Sequence, residues 1–187
     1  MKNILIILAL SLVVSCDGPY RNCPEYYFSD DYKAYTNFNE NSYWIYSDTV
    51  FGITDSVVLL NQFIEFIDFC DYNTKSQEIL EQTFFSSFVG NNSSEIKIRG
   101  HAFMQKYNTE YQLPQGLFTD NTDLIDPDNF IDSLEINGVW YKNVKVFKSN
   151  KYESYWVKNI GLIKKVFPYP WDSDTIYHFD IVRYHLD

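Results

Sequence analysis

The chain predicts a mainly β protein: a single antiparallel arrangement of about eight or nine strands, as a curved sheet, a half barrel or a sandwich, with at most one or two short helices. Three observations predict it. Aromatic residues make up 19 % of the sequence, led by 16 Tyr and 15 Phe, and such side chains favour the pleated surface of a strand over a helix. A run from Glu95 to Met104 alternates up to Ala102, with Ile96, Ile98, Gly100, Ala102 and Met104 at one parity and Glu95, Lys97, Arg99 and His101 at the other, the period of a strand with one wet face. Asn137-Gly138 separates two β-rich runs, a dipeptide suited to the positive φ angles of a tight hairpin turn. Connections this short make neighbouring strands pair antiparallel.

The order of elements begins with a targeting segment. Lys2 precedes an apolar stretch from Ile4 to Val14, too short to span a bilayer as a helix, and a small residue, Ser15, stands before Cys16; together these read as a secretory signal over residues 1–15. Val13-Val14-Ser15-Cys16 resembles the lipobox of bacterial lipoproteins. The resemblance implies that Cys16 carries a diacylglycerol on sulfur, is exposed as the new amino terminus and is itself acylated, with palmitate-type chains. Each buried methylene contributes about 0.8 kcal/mol, so two or three chains hold a protein on a membrane where one is marginal. The expected location is the cell envelope outside the cytoplasm, the outer membrane foremost, with the face open.

Removing the first 15 of 187 residues leaves 172, the size of one domain. Lys2 is the only charge removed, so the formal charge moves from −10 to −11. So acidic a chain repels nucleic acid phosphates and anionic lipid heads, leaving the lipid as its expected membrane contact. Residues 16–42, with Gly18, Pro19, Pro24 and the pair Asp30-Asp31, read as the lipidated cysteine followed by a tether and entry segment, and 43–187 as the β domain. With Cys16 lipidated, Cys23 and Cys70 are the remaining thiols. In an oxidising compartment such a pair is expected to be bridged, closing a loop worth about 4 kcal/mol in the chain-entropy picture; two free thiols are the alternative.

Within the β domain, Tyr43 to Val50 and Ser56 to Phe69 flank a turn containing Gly52 and form an expected hairpin. The second run is apolar at both parities, through Val57, Leu59, Phe63 and Ile67 on one and Val58, Leu60, Ile64 and Phe66 on the other, so it is expected to be a central, buried strand. Residues 76–88 fit either helix or strand, and their Phe, Ser and Thr content favours strand. Gly90 to Ser93 makes a turn. Residues 108–129 read as a long loop carrying Asp120, Asp123, Asp126 and Asp128. Their spacing departs from a Ca²⁺-binding loop and lacks its closing Glu, so no metal and no cofactor are expected. Phe130–Ile136 and Val139–Lys148 form the Asn-Gly hairpin, followed by strands over Tyr152–Lys158, Leu162–Phe167 and Thr175–His185.

Three further blocks resemble small uncharacterised lipoproteins of Bacteroidota type: Asn41 to Tyr46 with Asp55-Ser56-Val57, Trp140 to Val144, and Tyr155 to Lys164. The resemblance implies a β domain on an envelope anchor and assigns no activity. In such hosts, Asp followed by Ser or Thr and an aliphatic residue is associated with O-glycosylation, which singles out Thr49, Ser56, Ser133 and Thr175; the same triplet also serves simply to close a turn and start a strand.

Catalytic patterns are missing: there is no Gly-x-Ser-x-Gly, no phosphate loop, no His-Glu-x-x-His and no Cys-x-x-Cys. His178 and Asp180 share a strand parity, with His185 on the other, and no nucleophile is spaced beside them. The expected function is therefore a membrane-anchored binding or interaction module for an envelope protein or glycan, with Trp44, Trp140, Trp156 and Trp171 as contact candidates, rather than an enzyme. The alternative is a glycosidase-like hydrolase whose carboxylates converge in the fold at about 5 to 9 Å.

Overall fold

A computed structural model describes residues 24–68, 76–88, 95–102, 129–148, 153–169 and 172–187. These residues form one helix and nine strands: α1 (Asp30–Thr36), β1 (Tyr43–Asp48), β2 (Ile53–Ile67), β3 (Gln77–Ser86), β4 (Glu95–His101), β5 (Phe130–Ile136), β6 (Val139–Lys148), β7 (Glu153–Val157), β8 (Gly161–Tyr169) and β9 (Asp172–His185). All nine strands belong to one open antiparallel sheet in the order β4-β3-β2-β1-β9-β8-β7-β6-β5. Every neighbour but one is also a neighbour in sequence. The exception, β1 beside β9, joins a β1–β4 meander to a β5–β9 meander through the two ends of the domain.

The turns follow local chemistry. Asn137 and Gly138 have φ of 52° and 79°, the two positive values a type I′ turn requires, and the flanking strands have the bounds that the sequence predicts. At the β1–β2 turn, the Asp48 carboxylate accepts from Val50 N at 2.8 Å and Phe51 N at 3.0 Å, while Gly52 takes φ 67°. Residues 77–86 form β3, so packing resolves the helix-or-strand ambiguity towards strand.

The helix departs from the tether expected over 16–42. Ser29 caps it by accepting from Tyr32 N, Asp30 and Asp31 lie in its first turn, and Tyr32 and Tyr35 are buried; acidic residues at a helix start are favourable next to its free N–H groups. It lies across one face of the sheet. Lys33 Nζ is 3.1 Å from Glu78 of β3, the Thr36 carbonyl accepts from Gln82 Nε2 at 2.8 Å, and the Ala34 carbonyl accepts from Asn159 N in the β7–β8 turn at 2.6 Å. The segment is thus part of the core, with Phe38 edge-on to Trp44 at 5.1 Å.

That helix-bearing face holds the aromatic interior. Trp44 Nε1 donates to the Ile160 carbonyl at 2.6 Å and Tyr46 Oη to the Leu162 carbonyl at 2.9 Å, so β1 is tied to the start of β8 across the intervening β9. Phe88 packs on Tyr177 and Phe179 at 5.2 and 4.9 Å between ring centroids. Asp55 on β2 reaches Lys165 on β8 at 2.5 Å. Three strand spacings lie between them, about 14 Å in a flat sheet, more than these two side chains bridge. The sheet must therefore curl towards this face across its middle.

The β2 strand departs from expectation along its length. Val57 and Leu59 are buried, but Leu60, Phe63 and Phe66 are 43, 43 and 39 % exposed. β1 pairs only with Ile53 through Val58, whereas β3 accompanies β2 from Val57 to Ile67. Past Leu59, whose backbone bonds Asn41 and Ser42, β2 has a strand partner on one side alone among the described residues. An apolar run at both parities marks a central strand only if both flanks are covered.

Candidate functional site

The unpartnered half of β2 forms, with β3 and β4, an outer face opposite the helix. Strand register builds it. The pairs Asn61↔Thr83 and Phe63↔Glu81 continue across β3 as Thr83↔Lys97 and Glu81↔Arg99, and directly opposed residues in an antiparallel pair share a face. Two cross-strand rows result, Asn61-Thr83-Lys97 and Phe63-Glu81-Arg99. They line an open, shallow hollow of about 220 Å³ together with Gln82 and Ile98, smaller than the usual enclosed small-ligand cleft. Arg99 Nε lies 2.8 Å from Glu81 Oε1. In the next row Ile79 opposes His101, whose pKa is held below its ordinary value by burial and, secondarily, by Arg99, with Glu81 acting in the opposite sense. An aromatic platform, a hydroxyl, an amide and both charge signs thus converge on one accessible patch.

Part of this patch is legible beforehand: the alternation over 95–102 places Lys97 and Arg99 on the wet face of β4, where they stand exposed. Phe63, Glu81 and Thr83 are not, because only register tells which residue of β3 lies opposite which of β2 and β4.

The tryptophans separate. Trp44 and Trp156 are wholly buried, Trp156 donating from Nε1 to Ser154 Oγ at 3.0 Å, so neither indole reaches a surface ligand. Trp140 is 62 % exposed next to the β5–β6 turn, far from the hollow's rows. Trp171 falls outside the described residues, as do Cys16, Cys23, Cys70, Asp120, Asp123, Asp126 and Asp128. Among the modification candidates, Thr49 and Ser133 are exposed while Ser56 and Thr175 are half-buried. The aspartates before Thr49 and Ser56 are buried and occupied: Asp48 closes its turn and also accepts from His178 N at 2.7 Å, in keeping with a structural use of that triplet.

Asp48 and Asp55 are the buried carboxylates among the described residues. Asp55 Oδ1 accepts from Ser86 Oγ at 2.7 Å and Phe88 N at 3.2 Å, and Oδ2 faces Lys165 Nζ at 2.5 Å. The second buried cation, Lys145, lies over the rings of Tyr35, Phe130 and Phe147 at 5.5 to 5.8 Å. His178 is exposed, and Asp180 pairs with Lys164 at 2.8 Å. Among the described residues no group of three His, Cys, Asp or Glu is placed to hold a metal ion, and no helix is long and apolar enough to cross a membrane. No protein-family model matches the chain, and no curated protein or solved structure is significantly similar to it.

Proposed function

We propose that this chain is a lipoprotein of the cell envelope, anchored through acyl chains on Cys16, that works as a binding module and takes its partner on the outer face of β2, β3 and β4. The observation that carries the reading is the pair of cross-strand rows, Asn61-Thr83-Lys97 and Phe63-Glu81-Arg99, around an open hollow of about 220 Å³. Exposed aromatic side chains ringed by polar groups mark contact surfaces, because ring burial supplies affinity and the surrounding polar groups supply orientation. An envelope protein or a glycan chain fits this chemistry: the Phe63 ring offers a flat apolar surface, and Arg99, Glu81, Thr83 and Asn61 offer donors and acceptors at its side.

The test is affinity capture from the native envelope through a cleavable C-terminal tag. Wild type retains a discrete partner that Phe63→Asp loses at least tenfold, while Val50→Asp, a substitution on the exposed β1–β2 turn, retains it. Cys16→Ser moves the protein from the membrane to the soluble fraction. Equal capture by Phe63→Asp would remove the outer face from the account, and a Cys16→Ser form still held by the membrane would remove the anchor.

A further inference from the structure

We propose that Lys165 and Asp55 become joined, in the folded protein, by an intramolecular amide bond between Nζ and Cγ. The two groups come from β8 and β2, 110 residues apart, and touch at 2.5 Å in the interior, both side chains almost wholly buried. Around the nitrogen stand the rings of Tyr46, Phe179 and Phe167, at 4.7, 5.2 and 5.9 Å from Nζ. Such a wall excludes water and disfavours the charged form of the Lys165 amine. Burial lowers the Lys165 pKa, with the Asp55 charge and hydrogen bond opposing it, so the free amine, which is the nucleophile, is more accessible here than in solvent.

The carboxyl group is prepared in a complementary way. Oδ1 receives hydrogen bonds from Ser86 Oγ at 2.7 Å and Phe88 N at 3.2 Å, while Oδ2 faces the amine. Fixed donors of this kind stabilise charge that develops on a carbonyl oxygen during attack. A proton passes from Nζ to Oδ2 along their contact, giving a neutral amine beside a neutral acid. The nitrogen lone pair then attacks Cγ, and the negative charge goes to Oδ1 under its donors Ser86 Oγ, Ser87 Oγ and Phe88 N. A second proton moves from nitrogen to Oδ2, the Cγ–Oδ2 bond breaks and one water leaves. Ammonium and carboxylate have become a secondary amide and water, with no change in oxidation state and no other reactant. The fold supplies the rest by holding the pair in contact, which replaces an encounter in solution by a unimolecular step.

Peptide mapping of the full chain, purified from membranes, denatured and reduced, tests the bond directly. The expected result is a branched peptide joining the segment that contains Asp55 to the one that contains Lys165, lighter by one water than the two segments together, with the protease failing to cut after residue 165. Lys165→Arg must give only linear peptides. Ser86→Ala, which keeps both reacting groups, slows the appearance of the branched peptide after refolding by tenfold or more. Linear peptides alone from wild type, with the Lys165 amine freely labelled by a reductive-methylation reagent after denaturation, would overturn the proposal and leave an ordinary buried ion pair.

Discussion

The two halves of β2 belong to one strand, have similar composition and meet opposite fates. From Ile53 to Val58 the strand pairs with β1, is joined by β3 from Val57 onward, and turns Asp55, Val57 and Leu59 into the interior. From Leu60 to Ile67 it has β3 as its one strand partner among the described residues, Leu60 and Phe63 are exposed, and Phe66, on the other face, stacks on Tyr27 at 5.2 Å. The pairing shifts register between Leu59 and Asn61, so a bulge sits where the environment changes, as bulges do where a strand must re-aim its side chains. The lesson is that apolar sequence states what a residue tolerates, whereas neighbouring elements decide whether it is covered. An apolar half-strand with one open flank invites edge pairing in water, which is the liability that the proposed partner contact would relieve.

The comparison breaks most readily at the buried half. Replacing Lys165 by Ala leaves the Asp55 carboxylate alone in the interior, and losing its partner, whether held as an ion or joined as an amide, is expected to cost roughly 3 to 5 kcal/mol. Chemical denaturation of Lys165→Ala against wild type checks it; a change below about 1 kcal/mol would mean that water already reaches the pair. Next in size is a contrast between adjacent residues. Leu59→Ala removes a fully buried side chain and is expected to cost about 2 to 5 kcal/mol, while Leu60→Ala, one position on, should stay within about 0.5 kcal/mol of wild type. Similar losses for the two would place Leu60 in a packed environment and erase the boundary. The smallest effect belongs to the outer face itself: Arg99 and Glu81 are both well exposed, so Arg99→Ala should change stability by no more than about 1 kcal/mol while weakening partner capture. A stability loss without any change in capture would make Arg99 a structural residue.

How far the sequence speaks varies in the same way. The Asn137-Gly138 hairpin is legible to the residue because its turn chemistry is local, and the alternation over 95–102 gives the orientation of β4 because period two needs no knowledge of neighbours. The helix is harder: Phe28, Tyr32 and Tyr35 recur at helical spacing behind a Ser29 cap, yet seven residues offer too little pattern to stand out beside Pro24 and the polar run around it. The Asp55–Lys165 contact and the Phe63-Glu81-Arg99 row are not legible at all. Each depends on strands distant in the chain being brought side by side in a definite register, and a single charged residue in a β-rich run reads as surface until its partner is known.

Amide hydrogen exchange along β2 of the isolated protein tests the central contrast most directly. Slow exchange is expected over Val57–Leu59, where β2 has backbone partners on both sides, and a set of fast-exchanging amides within Leu60–Ile67 on the side away from β3, slowed when the envelope partner is added. Uniform protection across both halves in the isolated protein would contradict that contrast.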